Sequence, residues 1–379
     1  MIHPIVMAGG RGERFWPYSN SKHPKQLLPL VTRKTMLEDT LDNIRKFQAT
    51  VKAGGKGAKS SKAGGLPRSV PSVRLIIGKN LEKPVKALMR GKAGVQVVAE
   101  PVGRNTAAAI ALAARLILRE DPQGVMLVLT ADHAIAPPEK FAQAMRAATA
   151  IAESGDSLVT FGIKPDRPEV GFGYIEVDGG ERAVEGLRSF AVKRFHEKPA
   201  RETAREYVDS GRFFWNSGMF AWRVDYLWEQ FRAFQPEIAR AFEKAGDLNP
   251  KSPGFAGKLN RIYKSLPEVS IDNGIMEKAP SIRVVVPEFS WDDIGSWSAL
   301  DRLHAADAEG NRIVGQGLAV DAKGNTLFSD SGLVAAFGVS DLLIVQHGGV
   351  TMVLPKDQAP RIKELVKKVQ QEKKLAKYL

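Results

Sequence analysis

Along the first two-thirds of the chain, short runs of apolar and β-branched residues alternate with longer stretches in which apolar positions recur every three or four residues. The short runs are Ile5 to Met7, Val73 to Ile77, Val95 to Ala99, Val125 to Thr130 and Leu158 to Ile163. Continuous apolar character over so few residues is that of strands covered on both faces. Between them, Met36 to Phe47, Thr106 to Arg119 and Glu139 to Glu153 gather their apolar residues on one helical face. The alternation predicts an α/β fold, an open and mostly parallel sheet sandwiched by helices, with ligands at the carboxyl ends of its strands. From about Gly310 the texture changes to short strands separated by Gly, Asp and Asn turns, VGQGLAVDAKGNTLFSDSGLVAAFGVSDLLIVQ. This predicts a catalytic domain over residues 1–305 and a small β-rich C-terminal domain over 306–379, without a strong internal repeat. Ile362, Leu365, Val366 and Val369 then recur at helical spacing and predict an amphipathic docking helix.

Composition narrows the class. With 379 residues, 44% hydrophobic and 26% charged, the chain can bury a large core. It contains no cysteine, which excludes disulfides, thiolate metal sites and cysteine nucleophiles. The longest apolar stretch, Ala107 to Leu118, is interrupted by Arg115 and falls short of the ~20 residues that a membrane span needs. The opening MIHPIVMAGGRGERFWP has no basic lead-in of the secretory kind. A cytoplasmic protein without a membrane partner is expected. The 55 Lys and Arg against 42 Asp and Glu leave a net charge of +13, which raises nucleic acid as a partner. The excess is local, however. Residues 51–70 carry +5 in a Gly, Ala, Ser and Lys sequence that reads as a mobile basic loop, and Lys356 to Leu379 carry another +5. Removing both leaves +3, so the charge reads as solvated surface and no nucleic-acid partner is expected.

The first strand runs directly into Gly9, Gly10, Arg11, Gly12, Glu13 and Arg14. Glycines in that position let the backbone turn sharply and bring N–H groups close to phosphate oxygens. No Gly-Lys-Ser/Thr closes the turn, and Phe15 stands where a dinucleotide fingerprint has its third glycine. Alone, such a turn reads equally well as structural. Arg14 and the Pro24-Lys25-Gln26 tripeptide add the cations that a multiply charged phosphate chain requires.

The segment AGGRGERFWPYSNSKHPKQLLPL resembles the signature of the sugar-1-phosphate nucleotidyltransferases, and specifically of the mannose-1-phosphate guanylyltransferases. The resemblance continues in order through EPVGRNTAAAI (Glu100 to Ile110), TADHAI (Thr130 to Ile135), FGIKPDRPEVGFGYIE (Phe161 to Glu176), FHEKP (Phe195 to Pro199), FWNSGMFAW (Phe214 to Trp222), SIDNGIMEK (Ser270 to Lys278) and WDDIGSW (Trp291 to Trp297). It implies the reaction GTP plus α-D-mannose 1-phosphate to GDP-mannose plus pyrophosphate, by metal-assisted in-line attack on the α-phosphorus. Both reactants are anions, so charge neutralisation and alignment dominate over acid–base chemistry.

By resemblance, Asp132 and Asp293 are the metal pair, and hard oxygen ligands of this kind suit Mg²⁺. Asp292 competes with Asp293, which is preferred because the family keeps its acid two residues before the glycine, here Gly295. Arg14 and Lys25 are implied to hold the triphosphate and stabilise the leaving pyrophosphate, with Arg11 as a second phosphate contact. Ala8, Gly9, Gly10 and Gly12 are implied on the nucleotide side. A carboxylate suits the adjacent N1–H and N2–H₂ donors of guanine, which points to Glu100, while Asn105 reads either as a further contact or as a helix cap. Gly173, Tyr174, Glu197, Lys198 and Asn216 resemble the sugar-phosphate side, with a structural Glu197–Lys198 ion pair as the plain alternative. Trp215, Phe220 and Trp222 read as core, and His133 and His196 as packing or hydrogen-bonding residues. The family implies a homodimer. Rival readings are another sugar 1-phosphate, glucose or heptose, and a catalytically silent nucleotide-sugar-binding regulatory subunit. The latter is expected to lose Arg14, Lys25, Asp132 or Asp293, and all four are present.

Overall fold

The apolar runs named above form strands and the periodic stretches form helices in the computed structural model, which describes residues 1–10, 12–20, 23–54 and 72–379. Of the basic loop expected at 51–70, residues 51–54 close the helix Met36–Gly54, and 55–70 lie outside the described residues, as does Arg11. The chain divides into two units. The first contains residues 1–9, 41–131 and 135–291, and the second contains 10–40, 132–134 and 292–379.

The strands up to Asp292 are β1 (Ile2–Ala8), β2 (Val73–Gly78), β3 (Val95–Glu100), β4 (Val125–Thr130), β5 (Ala134–Ala136), β6 (Leu158–Ile163), β7 (Gly173–Val177), β8 (Arg182–Val184), β9 (Leu187–Glu197), β10 (Phe213–Arg223), β11 (Ile282–Val286) and β12 (Ser290–Asp292). In the first unit ten of them, all but β5 and β12, build a sheet in the order β3-β2-β1-β4-β10-β6-β11-β9-β7, with β8 on β9. The expectation of a mostly parallel sheet needs correction. Pairs β3–β2, β2–β1, β1–β4 and β6–β11 are parallel, whereas every pairing of β10 and β9 is antiparallel. The reversal has a local cause at β8 and β9, which Glu185 (φ 53°) and Gly186 (φ 78°) join in the left-handed geometry of a two-residue hairpin. Helix Asn105–Glu120 is buried along most of its length beneath this sheet, in one core with Phe220, Trp222, Trp228 and Phe242. Its run of alanines admits close backbone approach while keeping high helix propensity. Trp215, Phe220 and Trp222 are buried, as the sequence suggested.

The second unit carries β13 (Arg312–Val314), β14 (Gly317–Val320), β15 (Thr326–Ser329), β16 (Val334–Phe337), β17 (Leu342–His347) and β18 (Val350–Pro355). Parallel pairing of β13 with β15, β15 with β17 and β14 with β16 winds this segment into coils. An internal structural repeat is therefore present where no strong repeat is visible in the sequence. Asn311 and Asn325 stack at equivalent corners, each buried. The Asn325 side-chain amide donates to Asn311 Oδ1 (3.0 Å) and Val339 O (3.0 Å), and Asn325 Oδ1 accepts from the Leu342 N–H (2.9 Å). The repeat rests on one residue per corner, too sparse for hydrophobic periodicity to reveal. Helix Ile362–Gln371 buries Ile362, Val366 and Val369 but leaves Leu365 exposed, because the docked stripe follows the i, i+4, i+7 positions. Among the described residues, no helix is long and apolar enough to cross a membrane.

Candidate active site

In the second unit the Gly-rich turn has Gly10 at φ 94° and Gly12 at φ 66°, the left-handed region that a Cβ disfavours. At Gly12 a Cβ would also stand 2.7 Å from the Lys25 backbone nitrogen, so only glycine lets the turn lie against the Lys25 segment. The following 3₁₀ turn, Glu13–Phe15, points Phe15 into a core with Trp297, Phe328 and Ile362. Arg14 is left exposed, its guanidinium donating to Gly295 O at 3.5 Å.

Lys25 is buried, and its ammonium is fully engaged. It pairs with Asp132 Oδ2 at 2.9 Å and donates to Asp293 O at 2.8 Å and Ile294 O at 3.0 Å, which uses all three donors of a lysine. Burial alone would raise the Asp132 carboxyl, but the charge and hydrogen bond of Lys25, joined in acid by protonated His133, outweigh it and hold Asp132 below the usual carboxylate range. Burial, reinforced by Asp292 and opposed by Lys25, pushes the Asp293 carboxyl up. Burial also pushes His133 down to about 4, so near neutral pH it is an uncharged imidazole with no proton to donate as an acid.

Asp292 and Asp293 are adjacent but differently placed. Asp292 is buried, takes the Arg302 guanidinium as a fork and accepts the Ile294 N–H at 2.8 Å. Asp293 Oδ1 accepts the Gly295 N–H at 3.1 Å, and its Oδ2 has no hydrogen-bond partner among the described residues. Ile294 holds φ 44°, a conformation that costs a β-branched residue roughly 1–3 kcal/mol. Asp292 on its N–H and Lys25 on its carbonyl together impose it. No group of three His, Asp or Glu residues forms a metal cluster among the described residues. A hard divalent ion that keeps water and phosphate oxygens needs only one or two carboxylates. Asp132 and Asp293, gathered around one lysine and with one carboxylate oxygen still available, fit that donor set.

In the first unit, Glu100 closes β3 with its side chain buried, accepting the Tyr263 hydroxyl at 3.1 Å. Burial, partly offset by that hydrogen bond, raises its pKa to about 7. The unfolded chain releases this proton near 4.5 and the folded chain near 7, so the stabilising contribution is complete below 4.5 and is lost as pH rises through 7. Glu100→Gln is expected to remove this pH dependence, which amounts to roughly 3 kcal/mol at most. Urea unfolding across that pH range checks it, and equal slopes in both proteins would refute it. Asn105 (φ 61°) is exposed and its Oδ1 accepts the Thr106 N–H at 2.8 Å, the local helix-start role. Ala8 is the buried last residue of β1 and Gly9 follows it exposed.

Gly173 pairs in register with Glu197, and a Cβ at Gly173 would stand 2.8 Å from Glu197 Oε2 and 3.6 Å from Asn216 Cβ. Gly173, Glu197 and Asn216 are thus brought together. Asn216 sits at a bulge of β10, where its Oδ1 accepts the Gly218 N–H (3.2 Å) and its Nδ2 donates to Asp272 Oδ1 (2.8 Å). Bulges of this kind re-aim side chains. Glu197 and Lys198 form an ion pair at 2.7 Å with both side chains largely in solvent. Tyr174 is buried with its hydroxyl on Glu169 O (2.9 Å), so its ring belongs to the core. His196 hydrogen-bonds to Glu176 and Tyr207.

The family model described as Nucleotidyl transferase matches residues 3–53 and 68–310, and that described as MannoseP isomerase/GMP-like beta-helix domain matches 315–369. A mannose-1-phosphate guanylyltransferase of Escherichia coli (strain K12) is 36% identical over 379 residues, 97% of this chain and 73% of that protein. The chain belongs to the mannose-1-phosphate guanylyltransferase family of nucleotidyl transferases. A second member of that guanylyltransferase family, ManC of Salmonella typhimurium, is 36% identical over 97% of this chain and 73% of its own. A crystal structure from Thermus thermophilus, described as a mannose-1-phosphate geranyltransferase, superposes with a TM-score of 0.82 at 34% identity, covering 97% of this chain and 99% of that one.

Against this guanylyltransferase background, sequence reasoning gave no role to Asp272, Arg302 or Ile294. Asp272 had a usable signal, since it lies in the matched SIDNGIMEK block. Burial raises its carboxyl, Asn216 opposes, and Glu197 and Glu277 add to the rise. Arg302 and Ile294 act through Asp292 and Lys25, contacts that no local pattern announces.

Proposed function

We propose that the chain transfers the guanylyl group of GTP to α-D-mannose 1-phosphate. A phosphate oxygen of the sugar phosphate forms a bond to the α-phosphorus, the bond to the β-phosphate breaks, and pyrophosphate leaves with the electron pair. The observation that carries this reading is the second unit's cluster, in which one buried lysine gathers Asp132 and Asp293 while Arg14 stands exposed on a Gly-rich turn.

Asp132 and Asp293 would hold Mg²⁺, which would supply positive charge against the phosphates. Lys25, with its donors engaged by the protein, places the two aspartate segments, and it reaches phosphate only by exchanging one of those bonds. Arg14 and Arg11 neutralise the triphosphate, and the backbone N–H groups of Gly9, Gly10 and Gly12 are offered to its oxygens. Glu100 reads guanine in its ionised form. Glu197 and Asn216 take sugar hydroxyls, with Asp272 holding the Asn216 amide and Lys198 pairing with the sugar phosphate. In this reading residues 1–305 carry the chemistry and 306–379 form the coiled C-terminal domain, a division supported by the two family matches. The protein acts in the cytoplasm as a homodimer, which sedimentation equilibrium checks.

The experiment is pyrophosphate release with Mg²⁺, comparing GTP against UTP, dTTP and ATP, and mannose 1-phosphate against glucose 1-phosphate. Release confined to GTP with mannose 1-phosphate supports the reading. Turnover with another pair overturns the base or sugar assignment, and GDP-mannose binding without any turnover indicates a silent regulatory subunit. Gly173→Ala, by displacing Glu197, is expected to raise the KM for the sugar phosphate about tenfold. The KM for GTP stays near wild type, and an equal rise in both would remove Gly173 from the sugar side.

A further inference from the structure

A polar cavity of about 480 Å³ opens in the first unit, lined by Ser154, Asp156, Ser157, Arg182, Ser281 and Arg283 together with apolar residues. It lies at the start of the parallel pair β6 and β11, whose register begins at Leu158 and Ile282. Asn216 pairs with Gly162, toward the other end of β6, and the cavity shares no residue with the sugar side.

Two guanidinium groups line it. Arg283 is only 9% exposed. Its Nε donates to Ser189 Oγ (3.2 Å) and its Nη2 to Gly180 O (2.9 Å) and Ser189 O (3.0 Å), which leaves Nη1 without a hydrogen bond among the described residues. Arg182 is exposed on β8, and its side chain has neither a hydrogen bond nor an ion pair among the described residues. Burial lowers the Arg283 pKa, the positive Arg182 lowers it further, and Asp156 opposes both. Asp156 itself accepts the hydroxyls of Ser154 and Ser157, and Ser157 Oγ lies 2.8 Å from Ser281 Oγ.

Two like charges facing one cavity, with no carboxylate in ion-pair contact with either, are a costly arrangement until an anion joins them. The planar fork of arginine matches phosphate oxygens in pairs, and serine hydroxyls serve the remaining oxygens. The volume falls within the ~300–1,000 Å³ typical of small-ligand pockets. We propose that this cavity is a second ligand site, separate from the transfer site, that binds a small phosphomonoester through Arg182 and Arg283.

Isothermal titration of the full chain tests this with glucose 6-phosphate and inorganic phosphate as probes. Arg182 is exposed, so Arg182→Glu leaves the fold and the transfer rate intact while reversing one of the two charges. Saturable glucose 6-phosphate binding is expected, weakened tenfold or more, about 1.4 kcal/mol, by Arg182→Glu. Asp156→Asn is expected to tighten it severalfold, a change of opposite sign that unfolding cannot mimic, and Lys25→Met to leave it unchanged. Inorganic phosphate with the same variant pattern and equal affinity identifies bare phosphate as the ligand, whereas weaker phosphate binding shows that the organic moiety is also held. The proposal is overturned if neither probe saturates below about 10 mM, a free energy of only about 3 kcal/mol. It is equally overturned if Arg182→Glu leaves binding unchanged, or if Lys25→Met abolishes it.

Discussion

Lys25→Met is expected to lower kcat for pyrophosphate release about a thousandfold, at the upper end of what loss of one preorganised cationic group costs. The size of the effect follows from the number of things the ammonium holds at once. Asp132 loses the charge that keeps its carboxyl ionised, and the carbonyls of Asp293 and Ile294 lose their donor. Lys25→Arg is not expected to rescue, because a planar fork cannot direct three donors from one point as an ammonium does. Stability falls as well, by roughly 3 kcal/mol for a half-buried carboxylate and two carbonyls left unsatisfied. Rates at saturating substrate, with circular dichroism to show a folded protein, check the prediction. A folded variant that turns over within tenfold of wild type would take Lys25 out of the catalytic machinery.

Asp293→Asn is expected to separate activity from stability. The carboxyl of Asp293 is pushed up by burial and by Asp292, so near pH 7 its ionised form is a burden on the folded state. Asparagine keeps an oxygen for the Gly295 N–H and removes the charge. Without metal the melting temperature is therefore expected to stay level or rise. Turnover is expected to fall at least a hundredfold, because one of the two proposed metal ligands is gone. Rising Mg²⁺ stabilises the wild type by mass action, and the gain shrinks in the variant. Thermal shift with and without Mg²⁺, measured alongside turnover, reads all three. Full turnover, or a Mg²⁺ response equal to wild type, would show that Asp293 is not a ligand.

Much of the fold was legible because its signals are local. Five apolar runs and three amphipathic stretches each report their own structure through period and length. The antiparallel half was not, since the direction of β10 and β9 depends on which neighbours they meet, and only the Glu185-Gly186 turn carries a local trace of it. The coils escaped for a related reason, because their repeat is carried by Asn311 and Asn325 at corners and not by apolar spacing. At the candidate site, the residue types at 14, 25, 132 and 293 could be picked out one by one. Their joint arrangement could not, because nothing in the sequence near Lys25 indicates that its three donors meet Asp132, Asp293 and Ile294. The choice of Asp293 over Asp292 rested on resemblance. The Arg302 fork on Asp292 is a physical argument in its favour that only the fold supplies.

The Gly-rich turn and the C-terminal coils are not separable by heredity. Phe15, Trp16, Leu28 and Leu30 share one core with Phe328, Val345, Met352 and Val366, and the Trp16 indole donates to Tyr378 O at 2.9 Å. A substitution among the coils that shifts this core is felt at Phe15, the residue next to Arg14. Recombination between relatives that exchanges residues 292–379 alone would set foreign coils against a native turn, whereas exchange of residues 10–40 with them would carry the whole core across. Lineages are thus constrained to evolve the two segments in step, although some 250 residues of chain lie between them.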